Sequence, residues 1–221
     1  MAVTPRYALR YPDATDPADV PTDMGELALD VENTLYGIVG SFRYRGRLTA
    51  AAFAALTGLA DGDVVDLIPD AGTSGTLWRF RYNAGGGANK WEFIGGAPLL
   101  AFVDTSEARG NAAYGDLATV GPQLTAPRGG DYVVEHGFNA FPNAATAENA
   151  WGTVKLGAAA AADTEGAYTW SNAANMAMSS GRTLLRALAA NDVVKQMYRT
   201  VAGTTVNFRW RFVKLTPVRI S

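Results

Sequence analysis

One histidine and no cysteine stand in a chain of 221 residues, and that scarcity narrows the chemistry before any motif is sought. A thiol nucleophile, a disulfide framework and a Cys-ligated zinc or iron–sulfur centre are excluded by residue type. A metal site built from several imidazoles is excluded on the same ground. His136 is the one candidate imidazole base. It shares a strand phase with Tyr132, Val134 and Phe138, and no Gly-x-Ser-x-Gly elbow supplies a nucleophile beside it. The residues therefore favour a packed or interface histidine that titrates near neutral pH.

Carboxylate pairs are the next source of chemistry. Asp61 with Asp63, and Asp163 with Glu165, are the closest pairs. A glycoside hydrolase needs two carboxylates across a sugar-sized cleft, whereas pairs in Gly-flanked turns mostly solvate a loop. No calcium-binding loop of the EF-hand type is present. Gly85-Gly86-Gly87 lacks the following lysine and serine of a phosphate loop and reads as a hairpin tip. No catalytic residue, cofactor or metal ligand is assigned. Trp151, Tyr168 and Trp170 lie in short segments with polar neighbours. Such rings either fill a sandwich core, the reading the pattern favours, or stack on a sugar as candidate glycan contacts. Arg79, Arg81, Arg209 and Arg211 stand in two stripes opposite aromatic phases, which reads as solvated faces or inter-subunit ion pairs.

These residues need elements to hold them, and the chain reads as three unequal parts. Residues 1–38 are an arm followed by a short helix. Pro5, Pro12, Pro17 and Pro21 recur among aspartates, so the arm is expected to be either disordered or held extended on a partner, without an amide ladder of its own. Tyr7, Leu9 and Tyr11 alternate with polar or small residues, a pattern suited to a strand laid on another surface, and Pro12 follows them. Asp23 and Glu26 form a capping-box pattern. Met24, Ala28, Val31, Leu35 and Ile38 then recur at steps of four, three, four and three, a two-heptad seam able to set the register of a trimer. The same stripe also suits a helix packed on its own domain.

Residues 39–105 read as a small β module: an alanine-rich helix within Leu48–Leu59, a strand Val64–Ile68, and a hairpin of Leu77–Tyr82 with the Trp91–Phe93 run. Trp78, Phe80 and Tyr82 share one face there. Residues 106–221 read as six to eight strands, a sandwich or jelly roll. The last strand alternates Val206, Phe208, Trp210 and Phe212 against Asn207, Arg209 and Arg211, and its phase slips near Val213, which suggests a bulge. The fold class is thus mainly β. A net charge of −2 without a basic block argues against nucleic acid as partner. No apolar run of about eighteen residues occurs, and the first residues lack the charged and apolar regions of a signal peptide, so no membrane insertion is expected.

The stretches Arg6–Pro12, Asp16–Asp23 and Leu27–Glu32 resemble the start of small tail-fibre or minor tail proteins of tailed bacteriophages with GC-rich hosts. Leu77–Asn83 and Lys90–Gly96 are similar to the small β module that follows in such proteins. The strand pattern of the C-terminal part resembles the jelly-roll heads of phage appendages, distantly similar to C1q and TNF heads. The resemblance implies a structural virion protein: a homotrimer whose residues 1–38 dock on other virion proteins through Tyr7, Leu9, Tyr11 and Pro12. Its head would face outward on the particle toward a host surface glycan or protein. A capsid decoration or head fibre without receptor duty is the alternative. A cell-wall or capsule hydrolase is less favoured, for want of an acid–base pair.

Overall fold

The computed structural model describes residues 2–3, 10–11, 31, 43–69, 76–142, 148–171, 176–201 and 204–221. At the start, β1 (Ala2–Val3) pairs antiparallel with β2 (Arg10–Tyr11). The arm thus has a short ladder where none was expected, because neither two-residue stretch contains a proline and both can donate their amides. Tyr11 belongs to β2, and Val31 is helical and exposed. Tyr7, Leu9, Pro12, Met24, Ala28, Leu35 and Ile38 lie outside the described residues.

The next unit is built around aromatic residues. β3 (Tyr44–Thr49) runs parallel to β4 (Val64–Ile68), and α1 (Ala50–Ala54) makes the crossover. The Thr49 hydroxyl accepts from the Ala52 amide at 3.3 Å and caps the helix. Its buried Phe53 packs against Trp91 and Phe80, with centroids 4.8 and 6.0 Å apart. β5 (Trp78–Tyr82) and β6 (Trp91–Gly96) form the expected hairpin. Trp78 and Phe80 point inward. Arg79 and Arg81 point outward and pair within the chain, with Asp66 and Glu92.

Beyond them follow β7 (Leu99–Val103), β8 (Glu107–Arg109), β9 (Gln123–Thr125), β10 (Gly130–Pro142) and β11 (Glu148–Leu156). A 3-10 turn at Asp163–Glu165 leads to β12 (Ala167–Ser171), β13 (Met178–Leu188), β14 (Val193–Thr200) and β15 (Val206–Ile220). The fold is mainly β, a sandwich of two sheets. The large sheet runs β13-β10-β15-β6-β5-β4-β3, with β7 and β8 also paired to β15; the small sheet runs β12-β11-β14-β9. The described strands of the small β module and the head are joined in one sheet, since Arg219 and Ile220 of β15 pair with Glu92 and Trp91 of β6. They also share one core, in which Trp78, Phe80 and Trp91 meet Tyr132, Val134, Val213 and Leu215.

A second core lies at the other end of the sandwich. Phe138, Tyr198 and Phe208 fill it, with centroids 4.9 to 6.4 Å apart. His136 lies in the same inward phase and is fully buried. Its Nε2 donates to the Glu165 carbonyl at 2.8 Å. Burial pushes its pKa down to about 4, so this packed histidine does not titrate near neutral pH as the sequence suggested.

The last strand breaks phase earlier than expected. Asn139 opposes Arg209 and Gly137 opposes Phe212, so Trp210 and Arg211 together face one residue, Phe138. This bulge flips the alternation. Trp210 adopts φ +48°, a left-handed conformation unusual for a bulky side chain, and turns outward. Arg211 turns inward and is fully buried, which corrects its place on a solvated stripe. It is tolerated there because Glu107 of β8 lies 3.1 Å away. The carbonyls of Thr105 and Thr119 also accept from it, at 3.3 and 3.4 Å.

Candidate functional site

β12 is an edge strand of the small sheet, and its two phases are of very different size. Ala167 and Thr169 point inward and are buried; Tyr168 and Trp170 point outward, 52% and 49% exposed. The reason lies across the sandwich. Phe138 occupies the place where a Cβ on Gly152 would sit, 2.5 Å from its ring, and Phe138 and Tyr198 fill the interior beside Ala150 and Ala167. Only small residues fit on the inner side there, so the large rings face solvent. The expectation that Trp151, Tyr168 and Trp170 fill the core does not hold: Tyr168 and Trp170 are exposed, and Trp151 is half-buried on the same outer face.

The pairing of the strands builds a row from these rings. Trp151 of β11 opposes Tyr168 on one side and Arg199 of β14 on the other. The Tyr168 ring lies 5.2 Å from Trp151, and the Arg199 guanidinium sits 4.2 Å over the other part of the row, on the Trp151 ring. It is also 5.2 Å from the ring of Tyr114, which the Gly115–Tyr198 bridge brings alongside β14. Tyr168, Trp151, Arg199 and Tyr114 thus form one ladder of flat groups, and Trp170 stands beside Asn149 next to it.

Polar bonds hold the ladder. Arg199 donates from Nη2 to both oxygens of Asp163, at 2.9 and 3.0 Å. The Tyr114 hydroxyl donates to the same carboxylate at 2.6 Å. Tyr114's bond, with Arg199 adding to it, holds the Asp163 carboxyl below the usual carboxylate range against the effect of burial. Burial, and then the bond to Asp163, push the Tyr114 phenol up to about 12. At neutral pH the row therefore carries one cation and one anion, already paired. Tyr168 donates to Asn149 Oδ1 at 2.5 Å, which fixes the tilt of its ring. The Thr153 hydroxyl donates to the Ala162 carbonyl at 2.6 Å and pins the loop that borders the row.

Arg199, Tyr114, Asp163 and Asn149 were not singled out from sequence as binding residues. Register alone could have found Arg199, because only strand pairing places it opposite Trp151. The carboxylate pairs do not act as pairs. Asp63 is buried against Arg43 at 2.8 Å, and Asp61 accepts from the Ala84 amide. Asp163 serves Arg199, and Glu165 pairs with Arg186 at 2.9 Å. Among the described residues no cluster of three His, Cys, Asp or Glu side chains is placed to hold a metal ion, and no helix is long and apolar enough to cross a membrane.

A second exposed surface lies on the outer face of the large sheet. Leu100 and Phe102 of β7 are 62% and 56% exposed, and Phe102 pairs with Phe212. The Phe212 ring lies over Gly137, 2.5 Å from where a Cβ would stand. Trp210 projects from the bulge with the Arg209 guanidinium 4.2 Å over its ring. Lys214 pairs with Glu135 on the same face, and Leu185 is exposed at its far side.

No protein-family model matches the chain, and no curated protein is significantly similar to it in sequence. Among solved structures, it is similar to the Eiger TNF of S. frugiperda at 14% identity and a TM-score of 0.40, over 57% of this chain and 94% of that one. The globular domain of zebrafish complement 1qA aligns at 9% identity and a TM-score of 0.36, over 57% and 99% of the two chains. Murine APRIL aligns at 14% identity and a TM-score of 0.31, over 53% and 98%.

Proposed function

We propose that this chain is a structural subunit of a tailed-phage virion, a short trimeric tail fibre or spike. Residues 1–38 dock it on the particle, and the sandwich is presented for host-surface binding. The observation that supports this most is the pair of exposed faces on opposite sides of one sandwich. The large-sheet face carries the exposed apolar side chains Leu100, Phe102 and Trp210, with Lys214 paired to Glu135 and Arg209 seated over Trp210, which suits contact with further copies of the chain. The small-sheet face carries rings among polar groups, which suits an external ligand. Three heads on one trimer, and several trimers on one particle, raise weak contacts to useful strength. The reading is one of binding, without a catalytic step.

Gold-labelled antibody to the head, viewed on intact particles by electron microscopy, tests it. Gold at the tail tip supports the reading. Gold over the capsid withdraws the receptor role and leaves decoration. Light scattering of the purified chain tests the trimer, and a monomer at micromolar concentration would sink that part.

A further inference from the structure

Building on the host-binding reading, we propose that the outer face of the small sheet binds an uncharged saccharide, with successive hexopyranose rings stacking on Tyr168 and Trp170. Two outward residues two positions apart on a strand stand about 7 Å from each other. Tyr168 and Trp170 thus offer two ring platforms along one edge, both about half exposed. A pyranose has an apolar C–H face and a hydroxyl rim. It needs π surface under the ring and fixed polar groups at the margin. The site has that alternation: Asn149 beside Trp170, and Asp163 and Arg199 beyond Trp151.

Rigidity adds to the case. Tyr168 is held by Trp151 on one face and by Asn149 at its hydroxyl, so little freedom is lost when a ring settles on it. Charge selects among saccharides. Recognition of a uronate, sialate or phosphate calls for a guanidinium free to take it. Arg199 already gives Nε and Nη2 to Asp163 and its face to Trp151. The row has no net charge to offer, and a neutral hexose chain is the ligand it fits. The apolar surface that a protein partner would need lies on the other sheet.

The test uses the full chain. Maltohexaose, cellohexaose and mannohexaose form the neutral series, and a galacturonate hexamer is the charged probe. Each is titrated by calorimetry and by tryptophan fluorescence. At least one neutral hexaose should bind and shift the emission. Trp170→Ala should weaken that binding about tenfold or more, and Trp170→Phe should restore most of it. Both side chains are on the exposed phase, and an unchanged melting temperature confirms that the variants fold. Binding of none of the neutral probes, binding of the charged probe alone, or binding indifferent to Trp170→Ala would each overturn the proposal. Labelled protein on host cells separates the two levels. Cell binding that requires Trp170 without any sugar binding removes the saccharide and leaves host attachment. No cell binding at all removes host attachment.

Discussion

The two exposed aromatic faces of this sandwich are made in opposite ways. On the small sheet the strands are regular. Tyr168 and Trp170 face outward because the interior behind them is already filled, and a set of short polar bonds holds the row in place. On the large sheet Trp210 faces outward because a bulge inverts the phase of β15, at the cost of a left-handed tryptophan and a buried arginine. The first face depends on many weak restraints and the second on one strong device. Damage to the small-sheet face should therefore be graded, and damage to the large-sheet face abrupt.

The largest effect is expected at the device itself. Arg211→Ala leaves Glu107 beside the core without its cation, and breaking a buried pair costs about 3–5 kcal/mol. Urea denaturation should register that loss. A loss near zero would mean that the ion pair does not hold the bulge. Replacing both partners by apolar residues should cost much less than the single change, since no charge is stranded. Saccharide binding by the fraction that remains folded should be unchanged, because the ladder lies on the other sheet.

A loss of similar size is expected from pH, and it strikes the core between the faces. His136 has a folded pKa of about 4 against an ordinary 6.5. Between those values the unfolded chain binds more protons than the folded one, so stability is full above 6.5 and falls as the pH drops toward 4. The shift corresponds to about 3 kcal/mol. Burial dominates it; the Glu165 carbonyl and carboxylate oppose it, and the nearby charge of Arg182 adds to it. Carboxylates with lowered pKa, Asp63 and Asp163 among them, lose their contribution only as the pH falls further, through their own folded values. Unfolding free energies at pH 7 and pH 4.5 should therefore differ far less in His136→Gln than in the parent chain. An equal difference in both would assign the acid sensitivity elsewhere.

A smaller effect of opposite sign is expected at Trp210. Asparagine tolerates the left-handed region better than tryptophan, so Trp210→Asn should leave the chain as stable as before or more so, by up to about 1 kcal/mol. It should also weaken self-association, visible as a shift toward monomer in light scattering. Stability and assembly would then move in opposite directions, as expected if the strain serves the contact. A variant that both destabilises the chain and leaves association intact would break the comparison between the faces.

Much of the architecture was legible in the sequence. Val64–Ile68 was read with its observed bounds, and the Trp78–Tyr82 hairpin and the shared phase of Tyr132, Val134, His136 and Phe138 were also recovered. Alternation reports which residues share a face wherever the strand is unbroken by a bulge, as on β5 and on the first half of β10. It does not report which face is inside. On β12 the small residues Ala167 and Thr169 are the buried phase, and nothing in those five residues says that Phe138 fills the space they leave. The bulge was expected near Val213 and lies at Trp210–Arg211. The arginine it turns inward pairs with Glu107, 104 positions upstream, a partner that no local pattern reveals. The ladder failed to appear for the same reason: Tyr114, Asp163 and Arg199 meet only through strand register.

The smallest expected effect tests the claim that the small-sheet face rests on many weak restraints. Tyr114→Phe removes one hydrogen bond to Asp163 and leaves the aromatic surface in place. Asp163 is largely exposed, with 64% of its side chain in solvent, so water replaces much of what is lost. The stability cost should be under about 1 kcal/mol. The carboxyl should nevertheless rise toward its ordinary range, because the phenol's bond is the largest influence holding it down. A carboxylate titration by NMR should show that rise. Saccharide affinity should fall only a few-fold, since Arg199 keeps both its bond to Asp163 and its seat over Trp151. A complete loss of binding in Tyr114→Phe would show instead that the row is held at a single point, and the contrast with the bulge would disappear.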